Sequence, residues 1–271
     1  MLIAQISDPH VTDADQGVDR RFETAMHLRH AVKHLSSLPM RPDLVLVTGD
    51  CVDKGSVAEY QRFLDLLRPL EMPVYVIPGN HDHREHMREV WGEQGSHRHG
   101  TYIQYVLEEW PVRLIALDTL IPGQAGGELC EERLGWLEAR LDEDTSRPTM
   151  LFQHHPPFAL GMPVVDEMGL AGTEALAQLI RRHPNVERIL AGHVHAHAQH
   201  LFHGTLAVTC PSTAHQTWLD FQPQAGLAAV MTPPACLLHF WREDLGLVTY
   251  LSPIGDYGAL HVVHDGEKWL P

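Results

Sequence analysis

The sequence predicts an α/β protein with layered sheets and helices, and three observations carry that reading. Short apolar runs alternate with longer amphipathic ones, Asp, Asn and His stand directly after five of the apolar runs, and helical periodicity disappears from Ala198 onward. In chain order, "LIAQIS" reads as a strand followed by a helix from Arg21 to Leu38, and "DLVLVT" as a strand followed by a helix from Val57 to Leu70. "VYVIP" precedes a third helix, His83 to Trp91. Two strands come next, "TYIQYVL" and "VRLIALD", then a helix from Glu131 to Leu141, the strand "TMLFQ", a helix from Thr173 to Arg182 and the strand "VERILAG". Beyond residue 198, "HLFHG", "TLAVT", "CLLHFW" and "GLVTYLS" have the β-rich, turn-bounded pattern of antiparallel strands. No repeat or Gly/Ser linker divides the chain, which favours one domain over residues 1–197 and a C-terminal extension over 198–271.

Composition narrows the function classes. A chain of 271 residues can bury about three-quarters of its unfolded surface, and 44% hydrophobic with 20% charged residues describes a soluble globule. No apolar run approaches the roughly 20 residues of a membrane helix. "MLIAQISDPH" lacks a basic stretch ahead of an apolar one, which points to a cytoplasmic protein without membrane contact. Cys51, Cys130, Cys210 and Cys236 are scattered, with no CxxC pair, and suit reduced thiols. A formal charge of −15 argues against polymeric nucleic acid, whose phosphates are gripped by clustered Lys and Arg. The 21 histidines nevertheless outnumber the 20 Lys and Arg together, and imidazole is the commonest side chain at metal sites.

The strand ends hold the chemistry. "SDPH", "TGDCVD", "PGNHD", "QHHPP" and "AGHVH" each follow an apolar run, and in an open α/β sheet ligands bind at the carboxyl ends of strands. The converging set is Asp8, His10, Asp50, Asn80, His154, His193 and His195, three oxygen and four nitrogen donors. Such a mixture suits Zn, Mn, Fe or Co. Seven donors exceed the need of one tetrahedral ion and fit two ions sharing a carboxylate, an arrangement that cleaves phosphate esters. In "DPH" and "HVH" an extended backbone would place both donors on one face. Glycines before Asp50, Asn80 and His193 would let backbone approach the ions closely.

In order, these fragments give D-x-H, G-D, G-N-H-D, H and G-H-x-H from Asp8 to His195, and the chain thereby resembles the calcineurin-like metallophosphoesterases. Within that family, "SDPH", "IPGNHD", "HHPP", "GHVH" and a later "CPSTAHQ" are similar to bacterial class III cyclic-nucleotide phosphodiesterases and their glycerophosphodiesterase relatives. The resemblance implies a four-layer α/β/β/α sandwich whose core is residues 1–197, completed by the extension, with a homo-oligomer (a dimer or an assembly of dimers) built partly on residues 198–271. It implies that Asp8, His10, Asp50 and His195 hold one ion and that Asp50 bridges to a second held by Asn80, His154 and His193. It also makes His81 the catalytic residue facing the phosphate beside Asn80, with His215 a second phosphate contact. The expected substrate is a small phosphodiester, a cyclic nucleotide such as cAMP or a glycerophosphodiester. Two cations would acidify a bound water for in-line attack on phosphorus. In "QHHPP", His154 is the expected donor and His155 points elsewhere.

Other polar residues carry simpler readings. His27, His30 and His34 fall on one solvated helix face, and His97, His99, His197, His200 and His203 on loops or strand surfaces. Asp53, Asp82 and Asp118 are expected to orient a ligand imidazole or to shape turns. Rival functions are a phosphomonoesterase or nuclease of the same fold, and a scaffold that has lost its metal site; the second is disfavoured because no donor is missing.

Overall fold

The computed structural model describes residues 1–13 and 17–270. β1 (Leu2–Ile6) leads into α1 (Gly17–Phe22) and α2 (Thr24–Ser37), β2 (Leu44–Val47) into α3 (Val57–Leu67), and β3 (Val74–Val76) into α4 (Arg84–Trp91). β4 (Tyr105–Leu107) and β5 (Arg113–Ala116) are followed by β6 (Gly127–Glu128), α5 (Glu131–Glu143) and β7 (Thr149–Phe152). Next come α6 (Pro163–Glu167), β8 (Leu170–Ala171), α7 (Thr173–Arg182) and β9 (Val186–Ala191). The rest is strand: β10 (Gln199–Phe202), β11 (Thr205–Thr209), β12 (Gln216–Thr217), β13 (Ala229–Val230), β14 (Ala235–Arg242) and β15 (Gly246–Pro253).

Two large sheets stack between helical layers, giving the four-layer α/β/β/α sandwich. One has the order β15-β14-β1-β2-β3 and the other β10-β11-β9-β7-β5-β4. The layering follows from strand periodicity. On β5, Leu114 and Ala116 join the central core with β1, β2, α2 and α3, whereas Ile115 points to the other face and packs with Leu137 of α5 and Leu176 of α7. Met150 and Leu151 on β7 divide in the same way. Of the strands after residue 198, β12 and β13 pair with each other in a small two-stranded sheet, and the other four join the two large sheets, β11 in a parallel pairing and not the antiparallel one expected. β11 runs parallel to β9 (Leu206 opposite Arg188) with β10 antiparallel outside it, while β14 runs antiparallel to β1 (Leu2 opposite Phe240).

The helix expected from Arg21 to Leu38 is in fact two. Glu23 adopts a left-handed φ of 51° between α1 and α2. The buried Asp19 fixes this break, its carboxylate accepting from the Ala25 backbone N–H at 2.8 Å and the Thr24 hydroxyl at 3.0 Å. The Ala25 N–H is a donor that a continuous helix would have used internally. "TYIQYVL" shortens to three strand residues, and α6, β6, β8, β12 and β13 carry too few residues to leave a periodic signal.

Candidate metal centre

Five strand ends point at one place. β1 and β2 of the first sheet deliver Asp8, His10 and Asp50, the turn after β3 delivers Asn80, and β7 and β9 of the second sheet deliver His154, His193 and His195. The expectation of extended backbone in "DPH" and "HVH" is wrong. Asp8 (φ 52°), His10 (44°), Asp50 (46°), His193 (70°) and His195 (45°) are all left-handed, so the chain turns sharply as each strand ends and aims successive donors inward by curling rather than by alternation. The adjoining glycines are required by contact. A Cβ on Gly192 would lie 2.0 Å from Ser7 Oγ and 2.9 Å from Asp8 Oδ2, and one on Gly79 would lie 2.2 Å from Asp50 Oδ1.

The donors form two groups around Asp50. In the first, His10 Nε2 lies 3.1 Å from His195 Nε2 and 3.6 Å from Asp50 Oδ2, and His195 Nε2 lies 3.5 Å from Asp8 Oδ1. In the second, His154 Nε2 lies 3.4 Å from Asp50 Oδ2 and 3.0 Å from Asn80 Oδ1, which is also 3.0 Å from His193 Nδ1. Divalent ions bonded at about 2.0–2.2 Å hold neighbouring donors about 3.0–3.5 Å apart, so these spacings match edges of coordination polyhedra. Ring protons are committed outward. His154 Nδ1 donates to the Thr48 carbonyl (2.8 Å), His193 Nε2 to Met168 (3.1 Å) and His195 Nδ1 to His215 (3.1 Å), so the other nitrogen of each ring offers a bare lone pair to the centre. Lone pairs facing lone pairs repel unless a cation lies between them, and the donor set therefore fits a pair of ions.

Electrostatics agree. Burial alone would depress His154, but the charges of Asp50 and Asp8 overcome it and raise its pKa to about 9. A potential that would hold a proton there is equally available to a metal ion. His193, on the far side of Asn80, is pushed down to about 3 by burial and by His154.

The supporting residues divide more finely than expected. Asp82 touches no ligand imidazole; it accepts from the backbone N–H groups of Gly79 (2.8 Å) and Cys51 (3.1 Å) and from the Tyr60 hydroxyl (2.8 Å), which pins the turn carrying Asn80 and His81. Asp118 binds the Arg84 guanidinium at 2.7 Å. Asp53 stands at the mouth, its carbonyl 2.8 Å from His81 Nδ1 and its carboxylate 3.7 Å from His10 Nδ1. His155 has a ring nitrogen within 4.8 Å of donors of His154 and His193, but both of its nitrogens are engaged, by Thr119 Oγ1 at 2.8 Å and the Ala125 carbonyl at 3.1 Å.

Above the donors opens a cleft of about 500 Å³. His81 and His215 line it, together with Arg21 and Phe22 of α1 and the apolar Val165, Met168 and Leu227. Arg21, Phe22 and Asp53 were not identified as cleft residues from sequence. An aromatic in an amphipathic run has the pattern of a core position, so Phe22 carried no distinguishing signal; Asp53 did have one, its place three residues beyond Asp50.

The fold and this double cluster define a two-ion hydrolytic centre. Residues 1–197 match the family described as calcineurin-like phosphoesterase, and the chain belongs to that family, whose members use a dinuclear metal centre. It is 36% identical over 258 residues to the probable glycerophosphodiester phosphodiesterase GpdQ of Arcobacter nitrofigilis, covering 95% of this chain and 94% of that one. It is 32% identical over 242 residues to the 3′,5′-cyclic adenosine monophosphate phosphodiesterase CpdA of Vibrio vulnificus, covering 89% and 84%. The crystal structure of a dimetal phosphatase from Danio rerio shares the fold with a TM-score of 0.67 at 18% identity, covering 94% of this chain and 99% of that one.

Proposed function

We propose that the protein is a metal-dependent phosphodiesterase that hydrolyses small phosphodiesters, either 3′,5′-cyclic nucleotides such as cAMP or glycerophosphodiesters. The observation that carries this reading is the pair of donor clusters sharing Asp50 at the floor of a cleft faced by His81 and His215. Asp8, His10, Asp50 and His195 hold one ion, and Asp50, Asn80, His154 and His193 the other, with Mn, Fe, Zn or Co as the occupants. When bound, such a pair supplies Lewis acidity and acidifies water for attack on phosphorus. The protein's own residues do the rest. His81 has one ring proton committed to the Asp53 carbonyl, which aims its other nitrogen into the cleft. Burial opposes charge on this imidazole, but Asp50 and the contact with Asp53 raise its pKa, so it can carry a second proton to the departing alkoxide as the P–O bond breaks. His215, which also lines the cleft, contacts the phosphate. The apolar side formed by Val165, Met168 and Leu227 receives a substituent of the diester.

The reading includes a cytoplasmic location, supported by four free cysteines, and a homodimer or an assembly of dimers. Among the described residues, no helix is long and apolar enough to cross a membrane. Protein stripped by chelation and reloaded with each candidate metal tests the activity. Bis(p-nitrophenyl) phosphate should turn over faster than p-nitrophenyl phosphate, and a panel of cyclic nucleotides and glycerophosphodiesters should contain a substrate. Preference for the monoester, or full activity with at most one ion per chain, would overturn the assignment.

A further inference from the structure

His215 differs from four other imidazoles of the site in how it is held, and from His10, whose Nδ1 is likewise unpartnered, in that His10 Nε2 faces the donors His195 and Asp50. His81, His154, His193 and His195 each have a ring nitrogen bonded to a backbone carbonyl. His215 has no side-chain hydrogen bond among the described residues, and its Nδ1 is buried without a partner. Its orientation therefore rests on ring contacts. The ring is bounded by His195 (centroids 4.5 Å apart), by His10 (5.7 Å) and by the face of Phe22, stacked at 4.2 Å with the planes only 16° apart. The Arg21 guanidinium lies over the Phe22 ring as well, 4.9 Å from its centre. Arg21 has no ion pair among the described residues, so its guanidinium rests on the ring and not on a carboxylate.

This stack is placed by the break between α1 and α2. Asp19 anchors the junction, accepting also from Arg62 Nη2 at 3.2 Å, and the Thr24 hydroxyl shares its one proton between the Asp19 carboxylate and the carbonyl of His10, 3.1 Å away. Phe22 is thus tied to the same loop that carries a metal donor.

We propose that Phe22, clamped by Arg21, is the positioning residue that aims His215 at the substrate phosphate. The inference rests on the assignment of His215 as a phosphate contact. Phe22 never touches the reacting atoms; it limits the rotation of a ring that no side-chain hydrogen bond fixes among the described residues, and the imidazole meets phosphate already oriented.

Four variants test this: Phe22→Leu, which keeps apolar bulk but removes the ring, Phe22→Tyr, which keeps the ring, His215→Ala, and the double variant Phe22→Leu/His215→Ala. Phe22→Leu should retain two ions per chain and lose kcat/KM on a diester by up to about tenfold, the worth of one aromatic pair. Phe22→Tyr should restore it. In the His215→Ala background Phe22→Leu should cost nothing further. A second readout needs no metal: in the metal-free protein the His215 ring protons should be shifted upfield by Phe22 and return toward ordinary positions in Phe22→Leu. Equal losses in both backgrounds, or an unmoved His215 signal with unchanged kcat/KM, would refute the proposal. If His215→Ala alone left activity intact while the parent cleaved diesters, the role of His215 would fail and this inference with it, without touching the assignment of diester hydrolysis.

Discussion

Asn80 Oδ1 stands 3.0 Å from both His154 Nε2 and His193 Nδ1, a position in the second cluster where a carboxylate of the same shape would also fit. A neutral carbonyl oxygen gives its ion a weaker bond and leaves it more electrophilic, at some cost in affinity. Asn80→Asp should therefore bind the second ion at least as tightly but lower kcat, and Asn80→Ala should empty that site at low metal and recover at high metal. Metal titration alongside kcat checks both; a parent-like kcat and affinity in Asn80→Asp, with both ions retained by Asn80→Ala, would reduce Asn80 to a turn residue. Single donors like this one were legible in sequence because each follows an apolar run and five such fragments occur in order. Their conformation was not. Alternation in D-x-H describes a flat strand, while Asp8 and His10 sit where a strand ends and curls, each at an energetic penalty of about 1–3 kcal/mol typical of left-handed non-glycine residues. The penalty is borne by surrounding bonds, such as the His193 N–H reaching both oxygens of Asp8 at 3.1 Å.

At the scale of elements, β14 ties the two sheets together through one buried imidazole. The Thr249 hydroxyl of β15 lies 2.9 Å from His239 Nδ1, His239 Nε2 donates to Gln5 Oε1 of β1 (3.1 Å), and Gln5 Nε2 donates to Thr48 Oγ1 and to the Ala191 carbonyl of β9, both at 3.0 Å. Burial, reinforced by Arg188 and His197, holds the His239 pKa down near about 3. The unfolded chain takes up a proton near pH 6.5 that the folded chain refuses, so stability from this group is intact above pH 6.5 and declines as pH falls toward 3. The slope approaches about 1.4 kcal/mol per pH unit. His239→Gln should flatten the loss of Tm between pH 6.5 and 5 relative to the parent; an unchanged slope would show that other groups dominate. The eight-residue β14 and β15 were readable as strands from β-rich composition, but not their destinations, because pairing with β1 is a contact between the ends of the chain. Nor was the interruption at Glu23 readable, since glutamate is a good helix former and the break is imposed by Asp19.

Across the whole molecule, exposed large apolar side chains gather on the C-terminal part, among them Trp218, Phe221, Leu227, Tyr250, Leu260 and Trp269. β15 is also an open sheet edge eight residues long. Concentrated apolar surface and an unpaired edge both favour association, and symmetric pairing of like copies is its commonest closed form. Light scattering at micromolar concentration should give at least twice the 30.5 kDa of one chain, and Phe221→Asp should shift it toward the monomer. A parent at monomer mass would refute the dimer. The sheet that ends in that edge also sets a timetable for biosynthesis. The N-terminal amine of Met1 donates to the Trp241 carbonyl across 240 positions, and β14 is the antiparallel neighbour of the strand that delivers Asp8 and His10. At about 5–20 residues per second, a ribosome leaves β1 with one side unpaired for roughly 12–50 s. Nascent chains arrested before residue 235 should accordingly be cut by protease near β1 and become resistant only once residues 237–240 have emerged, so a protected early intermediate would contradict this order of assembly. Translation past β14, more than the arrival of metal, then sets the earliest moment at which the first sheet can close.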